Sequence, residues 1–234
     1  MIEDQEIETY LSISRFQIGI YLFDIKQLKN LYKQEIKYNN KEEKIDLNNL
    51  NKFLEENIFK IEKLLGKFIK NISLIIEDCE KKTTYFGLKK KIYEDKIDKK
   101  YLENLLTDAK DLFKENYQSE KIMHMIIDKY MVDEVTYLLF PENFKGKNFS
   151  FELQFKSVSN SFVNDVEKIL EKYQIKIINY IDGNYVRNLF LEKDFDIDFM
   201  VHKVQNGFNL NEVKLISKNL RKKGFFEKFF QLFS

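Results

Sequence analysis

Apolar and polar positions alternate from Thr9 onward. Tyr10, Leu11 and Ile13, then Phe16, Ile18, Ile20 and Leu22, carry the period-two pattern of two strands joined by a tight turn near Ser14-Arg15. Leu28 to Ile36 reads as a third strand. Beyond a polar link from Tyr38 to Lys44 the period changes. Asp46 is placed to cap a helix whose apolar positions, Leu47, Leu50, Phe53, Leu54, Ile61, Leu64, Leu65 and Phe68, recur at spacings of three and four. The run ISLII, Ile72 to Ile76, is short and wholly apolar, as a strand covered on both faces must be. The first block is therefore β-β-β-α-β.

A second block starts at Glu80. Thr83 to Ile92 reads as a strand, and Asp98 caps a helix with Tyr101, Leu102, Leu105, Leu106, Ala109, Leu112 and Phe113 on one face. Lys121 to Phe140 follows as extended chain broken near Asp133-Glu134. Phe149 to Val158 is the next strand, after turn material around Pro141 and Gly146. This unit is strand-helix-strand-strand. The chain then returns to β-α-β logic: an amphipathic helix over Ser159 to Tyr173, with Phe162, Val163, Val166, Ile169 and Leu170 inward, and a strand over Ile175 to Ile181. Asn184 to Gln205 reads as helix interrupted by Asp194, Asp196 and Asp198, and Glu212 to Ile216 as a last short strand. The predicted division is 1–79 with 159–217 as one unit, 80–158 inserted in it, and 218–234 as a basic link and terminal helix.

That terminal stretch carries a second pattern. At about 100° per residue, Phe225, Phe226, Phe229, Phe230 and Phe233 form one stripe, with Leu232 at its edge and Glu227, Lys228 and Gln231 opposite. Arg221, Lys222 and Lys223 precede it. Aromatic rings beside a basic cluster suit the headgroup region of an anionic bilayer, where each buried ring contributes about 1.5–3 kcal/mol and each basic residue about 1 kcal/mol. Ordering the helix subtracts roughly half of that or more, so attachment is expected to be reversible. The expected lipid contacts are Arg221, Lys222, Lys223, Phe225, Phe226, Lys228, Phe229, Phe230, Leu232 and Phe233. The same stripe would equally serve a helix docked on the protein's own core.

Composition narrows the rest. Of 234 residues, 39 are Lys or Arg and 38 are Asp or Glu, a net charge of +1 that gives no overall pull toward nucleic acid. One cysteine excludes a disulfide framework and every multi-cysteine metal site, and two histidines leave little for a metal cluster. The acidic start MIEDQEIETY has no signal core, and no apolar run approaches a membrane span. The expectation is a cytoplasmic protein.

Three features together resemble the bacterial cell-division family FtsA, whose members are actin-like and carry an inserted SHS2-type subdomain. The stretch KIMHMIIDKYMVD, Lys121 to Asp133, is similar to the family's I-x-H-x-I-P-x-x-Y-x-x-D, with Ile127 or Asp128 where the proline stands. FELQF, Phe151 to Phe155, leading to Ser159 and its helix, is similar to the return from that subdomain. The basic link and aromatic helix match the place of the family's membrane-targeting sequence. The resemblance implies an α/β (α+β) fold: a partial actin-like, ribonuclease H-like β-β-β-α-β domain, an inserted strand-helix-strand-strand unit and a C-terminal amphipathic helix. It implies a tether at the cytoplasmic face of the inner membrane, with anionic lipid, division-machinery proteins including the ring protein FtsZ, and self-association as partners, and no nucleic acid.

One departure bears on chemistry. An actin-like ATPase uses an Asp-x-Gly turn in its first hairpin; here the turn reads Ser12-Ile13-Ser14-Arg15, without the carboxylate that orients metal, and no Gly-rich phosphate loop occurs elsewhere. A shortened relative without ATPase activity and without a cofactor is expected. Two alternatives stay open: an actin-like ATPase with a degenerate nucleotide site, and a soluble interaction domain whose terminal helix packs on its own core. Other groups read as structural. His124 lies in a strand and His202 on a helix surface; Glu192, Asp194, Asp196 and Asp198 form a solvated acidic turn; Lys89 to Lys91 with Lys99 and Lys100 form a solvated face; Cys79 has no role.

Overall fold

The structure is a computed structural model that describes residues 6–38, 45–78, 80–91, 99–141, 146–191 and 195–214. Asp98, Cys79 and the whole terminal segment expected to bind lipid, Arg221 to Phe233, lie outside these residues. The described chain divides into two compact units, one within Met1–Lys81 and Val158–Gln205 and the other within Lys82–Ser157 and Asn206–Ser234.

The first unit opens with the antiparallel strands β1 (Ile7–Ile13), β2 (Gln17–Asp24) and β3 (Lys29–Lys37), then helix α1 (Leu47–Leu65) and strand β4 (Asn71–Ile76). Asp46 caps α1 as its position predicts, accepting from the amides of Asn48 and Asn49, and Gly66 closes the helix in the left-handed conformation, φ 66°.

The second unit runs β5 (Lys81–Lys91), α2 (Lys99–Asn116), β6 (Glu120–Val132), β7 (Val135–Tyr137) and β8 (Asn148–Ser159), in sheet order β5-β8-β6-β7. The chain re-enters the first unit through α3 (Asn160–Glu171), β9 (Lys176–Asp182), α4 (Gly183–Asn188) and α5 (Ile197–Gln205). The helix predicted from Asn184 to Gln205 is thus two helices.

The first sheet has the order β3-β2-β1-β4-β9, with β4 and β9 parallel to β1. A three-strand antiparallel meander extended by two parallel strands is the ribonuclease H-like arrangement of the actin-like fold. Its two faces differ. Tyr32 donates to Asn57 of α1 and Tyr180 to Glu167 of α3, which places both helices on the face bearing Ile18, Ile20, Leu22 and Leu74. Leu50, Phe53, Leu54, Ile58 and Ile61 of α1, with Phe162, Val163, Val166 and Leu170 of α3, are buried there. The opposite face presents Tyr10, Tyr21 and Phe23, and His202 of α5 lies 5.3 Å from the Phe23 ring.

In the second unit one helix covers one sheet face. Leu102, Leu105, Leu106, Ala109 and Phe113 of α2 pack with Met125, Ile127, Phe151, Leu153 and Phe155, and the Phe113 and Phe155 rings stack at 4.7 Å. Residues 206–214, read from sequence as part of the actin-like unit, belong instead to this one. The physical reason is backbone pairing: Ile127 N donates to Asn211 O at 2.9 Å and Val213 N to Met125 O at 2.8 Å, laying the segment along β6.

Two sequence expectations fail on α5. His202 is buried and its Nδ1 lies 2.9 Å from Glu8 Oε2, and Asp198 is fully buried; only Asp196 of the acidic turn's described members is exposed, paired with Lys33. Both buried groups sit on the helix face turned to β1 and β2. Neither Asp198 oxygen is met by a donor in bonding geometry, and Asn30 Oδ1 is buried without a partner as well. Burial pushes the Asp198 carboxyl from its ordinary 3.8 up to about 6, and Asn30 and Lys33 offset only part of that cost.

The folded chain therefore holds a proton that the unfolded chain releases between these values. Stability attributable to Asp198 is greatest below pH 3.8 and falls as pH rises to about 6, by up to about 2–3 kcal/mol. Asp198→Asn, whose amide can donate to Asn30 Oδ1, is expected to remove this fall and to stabilise the chain above pH 6. Urea unfolding of both proteins across that pH range checks it.

Candidate functional site at the strand ends

In open sheets with parallel strands, ligands bind beyond the carboxyl ends of those strands. Here the three ends are level, because Ile13 pairs with Ile76 and Ile76 with Asp182. Each strand then delivers polar side chains to one place: Ser12 from β1 and Ser14 just past it, Glu77 and Asp78 just past β4, and Asp182 from β9, followed by Asn184 and Arg187 of α4.

These groups bind one another. Ser12 Oγ donates to Glu77 Oε1 at 3.0 Å, and Arg187 Nε donates to Glu77 Oε2 at 2.7 Å. The Glu77 side chain passes directly over Gly183, where any Cβ would collide with it, so glycine is required by the close approach. Lys81 Nζ donates to Asp182 Oδ1 at 2.6 Å and also to Asn184 Oδ1. Asp182 serves at the same time as the cap of α4, accepting from the amides of Asn184 and Tyr185. Asn184 in turn accepts from Asp78 N at 3.0 Å and donates to Asp78 Oδ1 at 3.1 Å. Next to this network, Tyr21 donates to Glu35 at 2.6 Å. Burial would lower the affinity of Arg187 for its proton, but the bonded Glu77 carboxylate more than restores it, and its pKa is raised.

The first hairpin turn is closed in the same manner. Ser14 Oγ accepts from Phe16 N at 3.2 Å and Gln17 N at 2.8 Å, while Tyr38 donates to Ser14 O at 2.7 Å. Backbone amides of the kind that hold phosphate in a hairpin turn are therefore engaged by the turn's own hydroxyl. The turn itself, Ser12-Ile13-Ser14-Arg15, carries no carboxylate.

The other residues weighed from sequence lie elsewhere. His124 is buried in the second unit, its Nδ1 2.7 Å from Glu212 Oε1. Lys89 to Lys91 are on β5 and exposed. No group of three or more His, Cys, Asp or Glu among the described residues is arranged to hold a metal. Sequence reading missed Glu77, Lys81, Asp182, Asn184 and Arg187. A signal was present: Glu77-Asp78 and Asp182-Gly183-Asn184 each follow directly on a strand pattern, the position where a carboxylate meets strand ends and helix amides.

No protein-family model and no curated protein matches the chain. Among solved structures it is similar to the PilM–PilN type IV pilus biogenesis complex, at 10% identity and a TM-score of 0.49 over 76% of this chain and 48% of that one. It is similar to the cytoplasmic domain of EpsL, an inner membrane component of the type II secretion system of Vibrio cholerae, at 10% identity and a TM-score of 0.34 over 77% and 56%. A Bacteroides thetaiotaomicron protein with actin-like ATPase fold and unknown function gives 12% identity and a TM-score of 0.33 over 80% and 56%. The chain spans about half the length of these structures. It is strand order and register that put the first sheet in the actin-like class. Among the described residues no helix is long and apolar enough to cross a membrane.

The Lys81–Asp182 pair is nearly enclosed, so removing one partner strands a charge. Lys81→Met is expected to cost about 2–3 kcal/mol, less than a wholly uncompensated carboxylate because the α4 amides still bind Asp182. Arg187→Ala, at a more open pair, is expected to cost less, and chemical denaturation of the two variants ranks them.

Proposed function

We propose that the chain is an actin-like scaffold that does not turn over nucleotide and is held at the cytoplasmic face of a membrane by its C-terminal amphipathic segment. The FtsA-like division tether is the specific form of that role, with the inserted unit as the partner-binding part. Division proteins, FtsZ among them, and other copies of the chain are its proposed partners.

The observation that carries the non-catalytic reading is the first hairpin. A nucleotide phosphate needs free amides and a cation held by a carboxylate. Ser14 consumes the amides of Phe16 and Gln17, the turn carries no carboxylate, and Glu77 is already taken by Ser12 and Arg187. A ligand would have to break this set of bonds before making its own. The lipid part of the proposal is supported by the sequence of 221–233, with its aromatic stripe behind a basic cluster.

Two measurements test the proposal. Sedimentation with anionic vesicles is expected to retain the full chain and to lose a chain lacking residues 224–234; Phe226→Glu and Phe230→Glu should lose binding while keeping the circular-dichroism spectrum. Unfolding of those two variants would instead favour a helix packed on the core. Calorimetric titration with Mg-ATP is expected to give no heat of binding, and tight binding would restore the ATPase alternative.

A further inference from the structure

We propose that the apolar tip of the β6–β7 hairpin is the resting berth of the chain's own aromatic segment, residues 225–233, so that the segment is held against the inserted unit until lipid competes for it. This rests on the reading of 225–233 as the membrane anchor.

The berth is visible in the described residues. Val135, Leu138 and Leu139 at the hairpin and Phe208 in the returning segment are 55%, 71%, 45% and 50% exposed. Single exposed apolar side chains are ordinary, but Val135, Leu138 and Leu139 fall within five positions of one hairpin, and a cluster of that kind marks a contact. The two stretches are joined there: Asn211 Nδ2 donates to Leu138 O at 2.9 Å.

The occupant is indicated by where the chain goes next. Residues 211–213 are paired with β6 at Met125 to Ile127, and Glu212 is buried against His124, so the root of the terminal segment is fixed beside the patch. The link 214–224 reaches up to about 36 Å at roughly 3.3 Å per residue. The path back along β6 from Met125 to Val132, where the hairpin begins, is about 23 Å by the same measure.

Charge agrees with this. Asp133 and Glu134 are exposed at the hairpin turn, and Asp133, bonded by Asn148 N and Lys147 N, is held ionised with its pKa lowered. Even with Lys147 nearby, the turn offers carboxylates to Arg221, Lys222 and Lys223, which precede the phenylalanines. The aromatic stripe can face the patch or the acyl boundary, but not both at once.

The test uses the full chain and vesicles of mixed phosphatidylcholine and phosphatidylglycerol. Replacing Leu138→Gln and Leu139→Gln together alters only exposed side chains. If the berth withholds the segment, the double variant should reach half-saturation at roughly threefold to tenfold less lipid, because apparent affinity is reduced by the fraction of chains with the segment free. Unchanged or weaker lipid binding by the variant would overturn the proposal, the weaker case meaning that the tip itself touches lipid.

A second measurement is independent of lipid affinity. A photo-crosslinking phenylalanine at position 230 should label the peptide containing 135–139 in the absence of vesicles and lose that label when vesicles are added. Absence of the label in lipid-free protein would overturn the berth. Labelling in a chain that never binds vesicles would support the berth while refuting the anchor, so the two failures are distinguishable.

Discussion

The parallel placement of β4 beside β1 is the constraint on which the first unit depends. The meander of β1, β2 and β3 needs only tight connections, but β4 must arrive by way of α1 and lie with β1 on one side and β9 on the other. Such a strand has no solvent face. From Ile72 to Ile76 every residue is buried, and the run ISLII meets the requirement with four branched apolar side chains and one serine that accepts from Asn179. Because β1, β4 and β9 point the same way, their ends coincide. The polar residues that follow each apolar run are thereby gathered into one cluster.

That cluster shows polar groups at the strand ends bonded to one another. Strand ends in this fold supply amides, carboxylates and helix caps, and here Ser12, Ser14 and Asp182 are buried while Asp78 is exposed. Two stable outcomes exist: a ligand satisfies them, or they satisfy one another. Here serine hydroxyls, Glu77, Asp182, Lys81 and Arg187 form the second outcome. Glu77 and Asp182 are each bonded by at least two donors, so the arrangement holds α4 to the sheet as a structural joint.

Much of the fold was legible in the sequence because local and global preferences agree. Asp46 at the head of a three-and-four spacing announces α1, ISLII announces a doubly covered strand, and Asp133-Glu134 between extended runs marks the two-residue turn between β6 and β7. The failures share a cause. His202 and Asp198 look like surface residues on a polar helix, and nothing local reveals that α5 turns them toward a sheet face already carrying Glu8, Tyr10 and Tyr21. The strand-end cluster was missed for a related reason: its members lie far apart in sequence, Ser12 and Glu77 by 65 positions and Arg187 and Glu77 by 110, and only strand register brings them together. The residues expected to face lipid were read from a stripe that falls outside the described residues, so pattern alone speaks for them.

The buried His124–Glu212 contact joins residues 88 positions apart and closes the edge of β6 with nearly the last of the described chain. During synthesis the inserted unit is therefore translated long before its final edge segment exists. Until residues 211–213 leave the ribosome, the stretch Met125–Ile127 has an open backbone edge and His124 lacks its carboxylate. A chain interrupted before Asn211 would lack Val213, which packs against the core of this unit, and would leave the Met125–Ile127 edge unpaired, the kind of open strand edge that templates association.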